Sequence, residues 1–543
     1  MLVRKEKEIK TIYFFIILIF ILFLAIPIIR LLTESFFLKD GIGLSNYLEV
    51  FAQKNFGKII LNSVGISLLA AIISTILAFF LAYSIQYSNI PKAYKRLIRL
   101  LAVLPMLLPT ITYGFAIIYS FGKQGLITKI IGTQIFEIYG FGGLLYGYVV
   151  YTLPISFMLI LNTMTYIDKK FSVVSRVMGD NSFKTFVQTL FLPLLGTLAS
   201  SVVQCFFLCF TDYGIPASIG GRFDVVASLL YNKMLGSIPD FQQGAVVAML
   251  MLIPSIISIS LLHYLERYNI RYNKISDIEI KKNKLRDSIC FIGSAFILLC
   301  MLSIFLVIAL IPFVEEWPYE IHFTLEHLNS VLADNTLTAV CKNSLFVAVL
   351  TAVTGTIITY GAALASARSN INKRLKRIID SLSLITNTVP GMVIGIAYML
   401  IFSGTPLQNT FIVIIFCNIV HFFSTPYLML KNSLSKLNRS WETTAALMGD
   451  NWFNTLIRIV TPNMRSTLLE VFSYFFVNAM VTVSAVIFIA GTKTMVLTTK
   501  IKELQYYNKF NEVFVLSLFI LAVNLLIKGL LGLIIKKLNN KEN

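Results

Sequence analysis

The sequence is built from apolar runs of about twenty residues or more, the length a helix needs to cross a bilayer. Such runs fall near 11–33, 60–86, 97–121, 141–165, 194–214, 242–265, 288–313, 343–367, 378–403, 411–431, 467–490 and 512–535. They are continuous rather than alternating, so they read as helices and not as barrel strands. Charged residues make up only 13% of the chain, against roughly 25% in soluble domains. No polar stretch is long enough for a large soluble domain, and the reading is an all-α integral membrane protein with twelve spans.

Charge refines that reading. A net charge of +19 would suit nucleic acid only if the basic residues formed a stripe on a soluble fold; here they sit between apolar runs, and no nucleic-acid partner is expected. With the N-terminus placed in the cytoplasm, the alternate connections and both tails that fall inside hold 33 of the 46 lysines and arginines. The outer segment 314–334 is acidic instead, with Glu315, Glu316, Glu320, Glu326 and Asp334. The positive-inside rule therefore places both termini in the cytoplasm of a multi-pass plasma-membrane protein. Arg4, Lys5, Lys7 and Lys10 precede the first run as in a signal peptide, but the run at 11–29 is long enough to span and no small-residue cleavage site follows. The six cysteines lie in or beside apolar runs without a C-x-x-C pair, which marks them as small core residues and not a metal or disulfide framework. His322 and His327, in the outer segment, read as solvated.

The chain repeats itself. Asn62-Ser63 recurs as Asn343-Ser344, and the same offset of 281 carries Lys95-Arg96 onto Lys376-Arg377, Pro109 onto Pro390 and Gly114 onto Gly395. Met178-Gly179-Asp180-Asn181 recurs as Met448-Gly449-Asp450-Asn451 at an offset of 270. Two copies of an even number of spans must run parallel. The division read from the repeat is an N-terminal span and outer segment at 1–59, a first repeat domain at 60–266, a linker at 267–287, a span and outer segment at 288–342, and a second repeat domain at 343–543.

The repeated M-G-D-N lies in the inside connection between the fourth and fifth spans of each half. Ala445 and Ala446 make one helix face small enough for close approach, and the glycine permits the turn that ends the helix. Asp450 and Asn451 suit the start of a second helix. Phe453 and Trp452 read as an apolar plug for a groove in a partner, and Pro462 opens the next span without needing a backbone donor. The stretch 441–462 resembles the cytoplasmic E-A-A-x-x-x-G-x9-I-x-L-P loop of type I ATP-binding-cassette importer permeases. Ala445, Gly449, Ile459 and Pro462 match that pattern; Glu442 stands one place early and Thr461 replaces the usual leucine. The first copy, through Gly179, Asp180, Phe183 and Pro193, lacks the acidic residue and has one extra residue before the proline.

The resemblance implies a fused permease of two six-span halves that partners two cytoplasmic ATPases and an extracytoplasmic solute-binding protein. It binds no cofactor itself, with ATP on the partner subunits. Consistent with that, no G-x-x-x-x-G-K-[ST] occurs, and Gly491-Thr-Lys493-Thr lacks the preceding glycine. Polar residues inside spans are functional candidates: Gln204 and Asp212 in the first half, Asn478, Thr482 and Ser484 in the second, with Thr110, Thr112, Asn387 and Thr388 beside Pro109 and Pro390. The outer segment 220–244 is expected to meet the binding protein. Together with 482–488 it looks like fused permeases of the iron(III), polyamine, thiamine and 2-aminoethylphosphonate branch, so iron(III) or a phosphonate is the expected solute. The rival reading is an ion-coupled secondary transporter of twelve spans, which would place coupling charges inside spans that here are nearly free of them.

Overall fold

A computed structural model describes residues 2–38, 41–265, 282–369, 372–438 and 440–542. Most of the 267–287 linker therefore lies outside the described residues. Twelve helices carry the twelve apolar runs: α1 (Ile9–Phe36), α2 (Phe56–Gln86), α3 (Thr110–Phe121), α4 (Phe141–Thr165), α5 (Ser182–Thr211), α6 (Phe241–Leu265), α7 (Lys284–Leu310), α8 (Asn335–Ala367), α9 (Gly391–Phe402), α10 (Phe411–His421), α11 (Arg465–Val481) and α12 (Phe510–Glu542).

Not all of them cross alone, which corrects the sequence reading. Among the described residues, eight helices are long and apolar enough to span, and two bent pairs bring the number to ten. The run at 97–121 divides into Lys92–Leu101, a 3-10 turn at Leu104–Leu107, and α3, because Pro105 and Pro109 each remove a backbone donor. Its repeat at 378–403 divides at Pro390, where Lys373–Thr388 meets α9 at 100°. The run at 411–431 bends by 57° between α10 and Ser424–Lys436. At 467–490 the helix α11 stops after 17 residues, and the chain turns extended at Thr482.

The repeat is physical. Ser63 Oγ accepts from Val226 N at 2.7 Å, and Ser344 Oγ accepts from Leu497 N at 2.7 Å. Lys95 Nζ donates to the Ser88 carbonyl at 2.6 Å as Lys376 Nζ donates to the Ser369 carbonyl at 2.6 Å. Each half thus folds a short helix, Val226–Leu235 or Leu497–Tyr506, back onto its own long helix. The repeat also reaches into 1–59 and 288–342. There α1 and α7 are each followed by a two-stranded hairpin, Phe37–Leu38 with Gly41–Ile42 and Val314–Glu316 with Glu320–Phe323, and then by Ser45–Ala52 or Glu326–Ala333. Asn46 Nδ2 donates to the carbonyls of Ser35 and Phe37. His327, 281 positions on, meets the carbonyls of Val314 and Glu315 through Nε2 at 3.0 Å. His327 is thus half-buried and bonded rather than solvated; its spacing, not its chemistry, marked it as the counterpart of Asn46.

The first helix of each half packs on the other half. Tyr398 Oη donates to the Phe23 carbonyl at 2.5 Å, Phe23 stacks on Phe416 at 4.2 Å, and Phe20 meets Phe423 edge-on at 4.6 Å, so α1 belongs to the second half's wall. Conversely, α7 lies against the first half, where Tyr146 Oη donates to the Cys300 carbonyl at 2.5 Å and Ser120 Oγ to the Ser303 carbonyl at 3.2 Å. The final helix also crosses over: Asn524 Nδ2 donates to the Leu107 carbonyl at 2.9 Å.

Replacing Ser63 or Ser344 with alanine strands a buried backbone donor, a loss of about 1–3 kcal/mol. Thermal unfolding in detergent should show a lowered midpoint for each variant and a larger drop for the pair, whereas an unchanged midpoint would mean that the hydroxyls hold nothing.

Candidate functional site

Two kinds of site repeat across the halves: a pair of loops at one end and a shared cavity between the halves. In the first loop, helix Lys170–Val177 ends at Gly179, whose φ of 90° is a left-handed conformation that glycine adopts without strain. Asn181 then caps the next helix by accepting from Lys184 N at 2.8 Å. Asp180 accepts from Ser175 Oγ at 2.8 Å and pairs with Lys184 at 2.6 Å. Lys184 first, and Ser175 with it, hold the Asp180 carboxyl below the usual carboxylate range. In the second loop, helix Ser440–Leu447 ends at Gly449 with φ 82°. Asn451 occupies the cap position there without accepting a side-chain hydrogen bond, and Asp450 Oδ1 accepts from Asn454 at 3.4 Å. Both loops then pass through one π-turn, Val187–Phe191 or Leu456–Val460. Pro193 follows within a continuous helix, but Pro462 opens a separate 3-10 turn; the extra residue of the first copy lies before the π-turn, in the five-residue helix Ser182–Phe186, whose counterpart Trp452–Thr455 has four.

What the loops offer outward is apolar. Met178 and Met448 are 78% and 82% exposed, and Val177, Leu447, Phe183 and Phe453 are exposed beside them. Trp452, read from the sequence as part of a plug, is buried in the protein's own core; Phe453 alone projects. Ala445, Gly449, Asp450 and Ile459 line a groove of about 470 Å³ with Trp441, Thr444 and Met448. A Cβ built at Gly179 or Gly449 meets nothing within 4 Å.

The two loops are tied down differently. Arg368, buried at the end of α8, reaches Glu442 at 3.4 Å and donates to the carbonyls of Leu437 at 2.9 Å and Asn438 at 3.2 Å. The first half has Tyr87 at the equivalent place, 281 positions earlier, with Lys169 Nζ over its ring at 5.7 Å. The second loop is thus held at its start by a buried guanidinium and the first by a half-buried ring and ammonium.

The cavity, about 400 Å³, lies where the helices break. All five path candidates line it: Gln204, Asp212, Asn478, Thr482 and Ser484. Thr110 and Asn387 line it as well, but Thr112 is buried against the Pro109 carbonyl and Thr388 bonds back to Leu384. Asp212 closes α5 and accepts from Ile215 N at 2.9 Å, which fixes its carboxylate at the wall. Thr482 holds the same terminal position on α11 and donates to Asn478 O at 2.6 Å. Sequence reasoning missed His421, Tyr151 and Tyr474, which also line the cavity. His421 was findable as a histidine at the end of an apolar run; the tyrosines carry no such signal. Among the described residues no lysine or arginine lines this cavity, and Asp212 is its single carboxylate.

Comparison with known proteins follows this geometry. Residues 355–540 match the family described as binding-protein-dependent transport system inner membrane component. The ferric transport system permease protein FbpB 1 of Haemophilus influenzae is 25% identical over 89% of this chain and 78% of its own. The ferric transport system permease protein FbpB of Actinobacillus pleuropneumoniae is 24% identical over 90% and 72%. A sulfate transport system permease protein, cysT, of Helicosporidium sp. matches 35% of this chain and 71% of its own at 25% identity.

Arg368→Met should loosen the second loop alone: hydrogen exchange across 440–450 rises while 170–180 is unchanged, and equal exchange in both loops would refute the latch. The first loop has its own pH signature. The folded Asp180 carboxyl lies below its unfolded value of about 3.9, so its contribution is complete above about pH 4 and is lost as pH falls through the folded value. Exchange at 175–185 should therefore be flat across neutral pH and accelerate only in strong acid, and Asp180→Asn should remove that step.

Proposed function

Since the chain belongs to the binding-protein-dependent transport inner membrane family, as a fused permease of two type I halves, we propose that it forms the path of an ATP-driven importer for iron(III). In this reading the two repeated loops face the cytoplasm and each docks one ATPase subunit. An extracytoplasmic binding protein delivers the ion to the opposite face, where 220–244 and its counterpart Leu497–Tyr506 stand. Both termini are cytoplasmic. ATP is hydrolysed on the partners, and this chain converts their closure into a change of access around the cavity.

The observation that carries the reading is the pair of apolar loop tips on helices that end at left-handed glycines, repeated at equivalent places in both halves. Exposed apolar residues in two copies fit two copies of one partner. The cavity supports a cation over an anion. Its walls offer a carboxylate and neutral oxygens from Thr110, Gln204, Asn478 and Ser484, donors that suit a hard cation. A phosphonate would meet Asp212 with no cation to offset it. The ferric permeases among the relatives agree with this choice.

Gly449→Arg, and more weakly Gly179→Arg, should uncouple ATPase activity from iron uptake in proteoliposomes holding the complete complex. The new Cβ meets no atom of this chain, but arginine at a left-handed glycine also strains the turn itself, so membrane insertion and ATPase assembly are measured alongside uptake. Normal uptake by both variants would overturn the loop assignment, and gradient-driven uptake without any ATPase would favour a secondary transporter. Asp212→Asn should lower iron uptake roughly tenfold, equivalent to about 1.4 kcal/mol, without lowering ATP hydrolysis, whereas unchanged uptake would remove Asp212 from the path.

A further inference from the structure

A second cavity, of about 360 Å³, lies at the loop-bearing end of α2, away from the central one. Phe79, Phe80 and Tyr83 of α2 form one wall, Phe186 of the first repeated loop forms a second, and Arg286, Ile289 and Cys290 of α7 form the third. The groove is apolar along its length and continues into the outward faces of both helices, where Ile76, Ile289, Ile292 and Phe296 are exposed. In a membrane protein such residues face acyl chains.

Its mouth is cationic. Lys169, Arg99 and Arg286 all act on Lys95 through space, with Asp287 opposing them. Arg286 and Arg176 likewise act on Tyr83. Asp287 pairs with Arg286 at 2.7 Å and also accepts from Asn89 N at 3.0 Å. Arg286, which lines the groove, is thus paired with Asp287, while Lys95, Arg99, Lys169 and Arg176 stand near enough to add positive charge around this end.

We infer that this groove holds one anionic phospholipid, its acyl chain between Phe80 and Ile289 and its phosphate at the Arg286 mouth. An apolar slot open to the bilayer, ending in an excess of positive charge at headgroup depth, matches a lipid at both ends. Charge complementarity selects anionic over zwitterionic headgroups. Phe186 belongs to the first repeated loop, so a bound lipid braces that loop. That consequence rests on the loop's proposed docking role; the lipid site itself does not.

The test uses the complete complex, exchanged in detergent with phosphatidylglycerol or with phosphatidylcholine and examined by native mass spectrometry. The wild type should retain one phosphatidylglycerol at a collision energy that strips phosphatidylcholine. Arg286→Gln, which removes charge, and Ile289→Trp, which fills the slot, should each reduce that retention at least several-fold. Lys536→Gln, an exposed charge on α12, should leave it unchanged. Equal retention of the two lipids, or undiminished phosphatidylglycerol on both groove variants, would overturn the site. So would wild type without retained lipid, which would mean that the groove is no lipid site.

Discussion

Lipid supplies no hydrogen-bond partner, so a backbone that leaves the helix inside a bilayer must be satisfied by the protein or must line a polar cavity. That constraint organises this molecule. The turn at Leu104–Leu107, the break at Pro390, the bend after His421 and the extended ends of α5 and α11 all occur where the two halves meet, and residues from every one of them line the same cavity. The helices are broken where they surround this cavity and continuous elsewhere. The prolines set the breaks, and close packing within each half makes them tolerable: a Cβ on Gly395 would collide with the Ala485 carbonyl, and one on Gly114 with the Ser218 hydroxyl.

Two-fold repetition does not make the halves equivalent. Their loops share a turn geometry set by Gly179 and Gly449, yet one is anchored by a buried guanidinium and the other by an ammonium over a ring. The cavity is likewise unequal, with its carboxylate from the first half and its imidazole from the second. Fusion of the halves into one chain allows such divergence, because each position mutates without its counterpart.

Much of this was legible in the sequence. Apolar length gave the helices, and the 281-residue offset gave the repeat and even the pairing of Asn46 with His327, although that pair was not recognised. The motif located both loops, and polarity inside apolar runs found five cavity residues. Where reading failed, it lacked depth information. Hydropathy averages over a window, so a two-residue break at Val389–Pro390 leaves no trace in it. The burial of Trp452 beside the exposed Phe453 depends on which helical face meets the core, and four residues are too few to show a period. Arg368 read only as one more basic residue, because its partners lie about seventy positions away.

The exchange of α1 and α7 bears on how the chain is made. Synthesis proceeds from the N-terminus, so α1 enters the bilayer long before its neighbours α8, α9 and α10 exist. The first half, for its part, lacks its α7 wall until the ribosome has passed Leu310. Neither half can be finished separately. The first half must wait with an unfilled side until α7 arrives, whereas the second half is built against an α1 already in place.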